Sequence, residues 1–180
     1  MRKSAIISSC GVYRYELRRE WDDGLPPYVS GMLNPSVADH EIDDPTITRN
    51  FLRAKTVGCG SLIVWNLGAG RATSPKNWKL MSDPIGPEND IHIGRILTEC
   101  RERSGIAVVG WGAHGSFRDR DRVVLRIAAQ ARVTLHCLGI TKNGQPRHPL
   151  YIARGQLIVE WRPAVDICGK AQQSESLTSP

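Results

Sequence analysis

The chain has 180 residues, a formal net charge of +6 and five cysteines, a length that suits one domain with a sizeable core. The basic balance favours a polyanionic partner, and no run is long and apolar enough for a transmembrane helix. Cys10, Cys59, Cys100, Cys137 and Cys168 are widely spaced and form no CxxC or Cys/His pair, which argues against a metal site or a disulfide framework.

The first turns of the sequence, MRKSAIISSCGVYRYELRR, carry an apolar stretch too short for a signal peptide. With Cys59, Cys100 and Cys137 in apolar contexts, the expectation is a cytoplasmic protein with buried, reduced thiols. Gly11 to Trp21 alternates apolar Val12, Tyr13, Tyr15 and Leu17 with Arg14, Glu16 and Arg18, which predicts an edge strand. It turns at Asp22–Pro27 into a strand over Tyr28–Leu33, giving an N-terminal hairpin. Asp44-Pro45 predicts a helix start, an N-cap acid and a first-turn proline, with Ile47, Phe51 and Leu52 on the buried face and a stop near Gly58 and Gly60.

Ser61–Asn66 is continuously apolar up to its final asparagine, as a strand buried on both sides should be. A loop, Gly68–Pro75, follows. Glu88 to Arg103 places Ile93, Ile96, Leu97 and Cys100 at helical spacing. Ile106–Trp111 predicts another buried strand, ending in GAHGS. A helix from Asp119 to Arg132 sets arginines opposite Val123, Val124, Ile127 and Ala128. Val133–Leu138 predicts a strand and GITKNGQPRHPLY a loop. A last strand spans Gln156–Trp161, and residues 164–180 read as a disordered tail behind one domain over 1–163.

This alternation of strands and helices predicts an α/β fold: a three-layer α/β/α sandwich around a mostly parallel four-stranded sheet, plus the N-terminal hairpin or edge strand. In such sheets ligands bind outside the carboxyl ends of the strands. Four polar loops fall there: Asn34-Pro35-Ser36, Asn66 with Gly68–Arg71, Gly112–Gly115, and Arg147–Tyr151. Asn34-Pro35 serves either as a turn or as backbone held open for a ligand. Asn66 ends an apolar strand, and a buried amide needs partners for donor and acceptor alike, as a nucleobase edge would supply. His148 beside Pro149 is either a surface imidazole or a donor to a developing anion. His114 is either a site group or a cap for the next helix.

The order of these motifs resembles the uracil-DNA glycosylase superfamily, and more closely its domain-of-unknown-function 1643 branch. GMLNPS is similar to the GxDPY or GxNPG motif after the first core strand, LIVWNL to the strand whose asparagine reads the pyrimidine, VVGWGAHG to the LLWGSHA-like strand, and RHPLY to the HPSP-like motif. The features YRYELRREW, DDPT and DPIGPEND extend the likeness to the 1643 branch. Two departures stand out. Asparagine replaces the acid of the GxDPY form, and Leu150 and Tyr151 replace the second serine-proline pair.

The resemblance implies a monofunctional DNA glycosylase that needs no cofactor and no metal, acts as a monomer, and takes DNA, double- or single-stranded, with a flipped pyrimidine. Catalysis would fall to Asn34 as water holder, His148 as donor to the pyrimidine O2, and Asp44 as the carboxylate chosen from Asp39, Asp43 and Asp44. An amide cannot be a general base. The base pocket would comprise Leu33, Ser36, Asn66 and Leu67. Arg71, His114, Arg147, Leu150 and Tyr151 would meet DNA, with Leu150 or Tyr151 as the wedge in the gap. Ser36 stands where the uracil-specific branch has a bulky tyrosine, so a 5-substituted pyrimidine is expected, including hydroxymethylated or glucosylated phage bases, with a role in antiphage defence or repair. The alternatives are a uracil or mismatch glycosylase, a nucleotide or nucleoside processor, and a noncatalytic nucleic-acid-binding relative.

Overall fold

The computed structural model describes residues 1–36 and 43–163. Seven strands make one sheet: β1 (Arg2–Ile7), β2 (Arg14–Glu20), β3 (Pro27–Met32), β4 (Ser61–Asn66), β5 (Ile106–Val109), β6 (Leu135–Cys137) and β7 (Val159–Glu160). Their order is β1-β2-β4-β3-β5-β6-β7. Neighbours from β4 to β6 pair in parallel, whereas β1, β2 and β7 join antiparallel at the flanks. The fold is therefore mixed α/β with a seven-stranded sheet, wider than the expected four central strands with an N-terminal hairpin or edge strand. Among the described residues four α-helices accompany it: α1 (Pro45–Thr56), α2 (Pro75–Lys79), α3 (Asn89–Glu102) and α4 (Arg120–Ala131).

The largest correction is at the N-terminus. The expected edge strand is internal, because β2 lies between β1 and β4, and the hairpin is β1–β2 rather than β2–β3. On an internal strand its charged residues enter the interior in pairs. Arg18 bridges Glu16 and Glu99 of α3, Arg95 reaches Glu16, and Arg19 binds Asp43 at 2.7 Å. Paired charge is the form in which such side chains enter an interior. The true edge, β1, begins with the exposed, charged Arg2 and Lys3, as an edge that avoids further pairing should.

A register shift interrupts the β1–β2 ladder. Ile6 pairs with Glu16 but Ile7 with Arg14, which leaves Tyr15 unpaired as a bulge. A bulge moves the residues on its two sides out of simple alternation. Tyr15 stacks on His92 of α3, with centroids 4.6 Å apart, and Arg14 turns away from Glu16 and Arg18.

Along β3 and β4 successive side chains enter different cores. Tyr28, Met32, Leu62 and Val64 pack with Ile47 and Ala54 of α1. Val29, Ile63 and Trp65 pack with Ile93, Ile96 and Leu97 of α3 and with Val124 and Ala128 of α4. A period of two puts these sets on opposite faces of the sheet, and each fully buried large side chain contributes about 2 kcal/mol. Within α1 the buried residues are Ile47, Asn50, Arg53 and Ala54. Leu52, expected inside, is exposed because it lies across the helix from that stripe, and Phe51 is half-buried against Trp21.

Arg120 departs from the expected basic face of α4: its buried guanidinium pairs with Asp90 and donates to the Leu67 carbonyl at 2.8 Å. Arg118, Arg122 and Arg126 remain exposed. Cys59, Cys100 and Cys137 are buried free thiols, and burial pushes the Cys100 thiol up to about 12. Among the described residues no helix is long and apolar enough to cross a membrane. The expected 164–180 tail, with Cys168, lies outside the described residues.

Gly60 is packed against the turn that precedes β3. A Cβ there would stand 1.9 Å from the Asp22 carbonyl oxygen, and that backbone cannot yield cheaply. Gly60→Ala is expected to destabilise the fold by about 3 kcal/mol, read as a lower midpoint in urea unfolding.

Candidate active site

The carboxyl ends of β3, β4 and β5 and the loop after β6 open on one cavity of about 620 Å³. Each loop leaves its strand for a local reason. Pro35 cannot donate to a ladder, so β3 ends, and the Ala72 amide then donates to the Pro35 carbonyl at 3.0 Å. That bond ties the loops after β3 and β4 together. Asn34 reinforces the tie, because its Nδ2 donates to the carbonyls of Ala72 (2.9 Å) and Pro35 (3.2 Å). Both amide donors are thus committed, and Oδ1 is the acceptor that remains for a ligand.

Asp44 both caps α1 and lines the cavity. One oxygen accepts from the Thr46 and Ile47 amides, each at 2.8 Å, and the other from the Ser36 hydroxyl at 3.0 Å. The capping and site readings of this residue are compatible. Asn66, at the end of β4, is 2% exposed and lines the same cavity. Its side-chain amide opens on that cavity, where a ligand or water can meet both its donor and its acceptor.

His148 caps the one-turn 3₁₀ helix Pro149–Tyr151, and its Nδ1 accepts from the Leu150 amide at 3.3 Å. An accepting Nδ1 puts the ring proton on Nε2. Burial pushes the imidazole below the ordinary histidine value, with Asp44 pulling the other way. The ring is therefore a neutral donor at pH 7. Tyr151, 76% exposed, stands at the rim with its ring 5.7 Å from that of His148. His114, on the 3₁₀ turn Gly112–His114, lies 3.2 Å from the Lys79 ammonium, and burial, then that charge, lowers its pKa. Arg147 is exposed on the cavity wall.

Leu33, Asn34, Ser36, Asp44, Asn66, His114, Arg147, His148 and Tyr151 thus meet around one cavity. Three expected site residues lie off its wall. Leu67 packs in the core, its carbonyl held by Arg120 and Asn89. Arg71 donates to the Gly11 carbonyl at 3.1 Å. Leu150 is half-buried and turns its carbonyl toward Arg49. Asp43 is held by Arg19, and Asp39 lies outside the described residues.

Arg14 is a wall residue that sequence reasoning missed. It is 3% exposed, burial brings its pKa down to about 10, and Asp44 raises it in part. Its alternation with Glu16 and Arg18 assigned it to the opposite face, and only the bulge at Tyr15 redirects it; nothing in the sequence announces that bulge. Trp111, by sequence only the end of a strand, is a second such residue. It lines the cavity with its Nε1 donating to Gln145 at 2.7 Å, and Gln145 in turn donates to Asp121 at 2.6 Å.

Apolar Met32, Leu33, Ile47, Val64 and Trp111 and a few convergent polar groups make a small-molecule type of pocket. An acceptor at Asn34, a two-way amide at Asn66 and a neutral donor at His148 can together grip a planar heterocycle and a water molecule. Among the described residues no group of three His, Cys, Asp or Glu side chains is placed to hold a metal ion. Neither a curated protein nor a solved structure matches the chain. A family model described as "Protein of unknown function (DUF1643)" matches residues 14–150. That match spans well over half of the sequence, and the chain accordingly belongs to the DUF1643 family.

Proposed function

We propose that this protein is a monofunctional DNA glycosylase with a three-layer, uracil-DNA glycosylase-like fold, hydrolysing the N-glycosidic bond of a flipped 5-substituted pyrimidine. The observation that carries the reading is the meeting, on one cavity wall, of His148, whose Nδ1 accepts from the Leu150 amide and so leaves the ring proton on Nε2, with the Asn66 amide at the end of β4. The parallel run of β4, β3, β5 and β6, with a core on each face, supports the three-layer part.

In this mechanism the bond from the sugar C1′ to the base N1 breaks, and its electron pair leaves with the base. His148 Nε2–H donates to the pyrimidine O2, where the negative charge collects, and one such donor lowers the barrier by about 3 kcal/mol. Asn66 reads the base edge. Asn34 Oδ1 accepts a hydrogen bond from the water whose oxygen attacks C1′. The proton of that water passes to Asp44 or to solvent, because an amide cannot take it. Asp44 is the one carboxylate among the described wall residues, and its charge also opposes the positive sugar.

Flipping costs a few kcal/mol, which a wedge in the vacated stack offsets. Tyr151, exposed at the rim, suits that role better than the half-buried Leu150. Arg147 and the Lys79–His114 pair at the mouth, with Arg118, Arg122 and Arg126 on the surface, would meet phosphates. Ser36 leaves room beside the base, and the cavity volume falls inside the range of about 300–1,000 Å³ typical of ligand pockets. The substrate is accordingly a pyrimidine enlarged at its 5-position, with antiphage defence or repair as the setting.

The test is a duplex carrying thymine, 5-hydroxymethyl-, glucosylated or unmodified pyrimidine, or uracil opposite guanine, treated with protein and then hot alkali. Strand breaks at the enlarged bases, with binding that weakens steeply as salt rises, are expected. Breaks at uracil alone would sink the 5-substituent assignment, and salt-insensitive binding without breaks would favour a nucleoside-processing role.

A further inference from the structure

The segment that carries Tyr151 is held by α1 in an unusual way. After the 3₁₀ turn it runs without regular structure to β7, and the side chains of residues 153–157 are exposed. Ile152, 5% exposed, is its buried apolar anchor. Its backbone is gripped instead by two guanidinium groups from one face of α1, four residues apart. Arg49 donates to the carbonyls of Ile152 (3.4 Å) and Leu150 (3.5 Å). Arg53, 9% exposed, donates to the carbonyls of Ala153 (3.1 Å), Gln156 (3.1 Å) and Arg154 (3.4 Å).

From this geometry we infer that Arg49 and Arg53 are positioning residues for strand opening: they lock the Tyr151 segment to the helix that Asp44 caps. The inference rests on the glycosylase reading. α1 starts at the cavity with Asp44 and ends beneath the 150–156 backbone, so it fixes the distance between the carboxylate and the wedge. A side chain as exposed as Tyr151 cannot be held by its own packing. Insertion into a base stack therefore loads the backbone behind it. Five N–H donors in a planar fork suit a guanidinium to this task, because one group reaches several carbonyls at once, whereas an ammonium offers a single point.

The chemistry inside the cavity does not pass through these arginines, so opening and hydrolysis separate in experiment. With a base-paired target, Arg53→Ala is expected to lower kcat/KM about thirtyfold, in keeping with a flipping cost of a few kcal/mol. With the same base in single-stranded DNA, or opposite an abasic site, the variant is expected to work within about threefold of wild type. Arg53→Lys, which keeps the charge but not the fork, is expected to recover only part of the paired-duplex activity. Equal losses on paired and unpaired targets would overturn the inference, since that is what a general folding defect gives.

A second readout needs no substrate. In hydrogen-exchange mass spectrometry of the full chain, peptides covering 149–157 are expected to exchange about tenfold faster in Arg53→Ala, with β3 and β4 unchanged. Unaltered exchange there would overturn the locking role directly. Should wild-type protein prove inactive on every DNA, the glycosylase reading fails, and the exchange result alone then decides whether α1 holds this segment.

Discussion

His148→Ala is expected to slow base release by about two to three orders of magnitude while leaving duplex affinity within a few-fold of wild type. The loss corresponds to one donor removed from a developing anion, and the selectivity follows because that charge exists only in the transition state. Single-turnover release of the base, beside equilibrium binding of the same duplex, checks both halves. A variant that loses binding and release in proportion would place His148 in ground-state contact instead.

The pH dependence follows from the same geometry. Protonating His148 requires Nδ1 to give up the Leu150 amide, and burial opposes the charge, so its pKa lies below the ordinary histidine value. The active neutral form persists as pH falls past that ordinary value. Activity should be flat from pH 7 downward through it and fall only as pH drops through the lower folded-state pKa. Stability carries the same sign. The unfolded histidine binds its proton first, so the contribution of the half-buried neutral ring is complete above the unfolded pKa and is lost as pH falls from there through the folded one. Melting curves of wild type and His148→Ala across this window should converge toward its acid end.

Asn66→Ala is the second large effect, expected at about a hundredfold in kcat/KM, with relaxed selection between pyrimidines. A buried amide that meets a base edge contributes through the cost of leaving either side unpaired, about 1–3 kcal/mol, and such sites discriminate more sharply than apolar ones do. Because this amide opens on the cavity, its removal is expected to cost the fold little. Competition between two pyrimidine duplexes in one tube reads the selectivity, and unchanged melting rules out misfolding. A variant that keeps its preference would take Asn66 out of the base pocket.

Much of this site was legible because the strands that carry it are short apolar runs ending in residues that cannot continue them. Pro35 after β3 and Asn66 at the end of β4 are such stops, and parallel pairing then brings those ends to one side. The N-terminal strands were not legible, since burial there depends on partners distant in sequence. Arg18 is interior only because Glu99 of α3 reaches it, and Arg19 only because Asp43 does. Arg14 shows the limit most clearly, because a single extra residue in the ladder changes its face. Arg120 misled for a related reason: helical periodicity counted it with the surface arginines, whereas Asp90 and the Leu67 carbonyl draw it inside. The α1 arginines carried no sequence signal either, since their partners are backbone carbonyls about a hundred residues away.

The central claim is that this cavity releases an enlarged pyrimidine from DNA, with His148 stabilising the departing base. Mass spectrometry of free bases, after incubating the protein with natural and phage DNAs of differing pyrimidine modification, tests it most directly. The account predicts a 5-substituted pyrimidine in the soluble fraction with wild-type protein, and its near absence with His148→Ala. Release of uracil alone, or equal release by the two proteins, would contradict it.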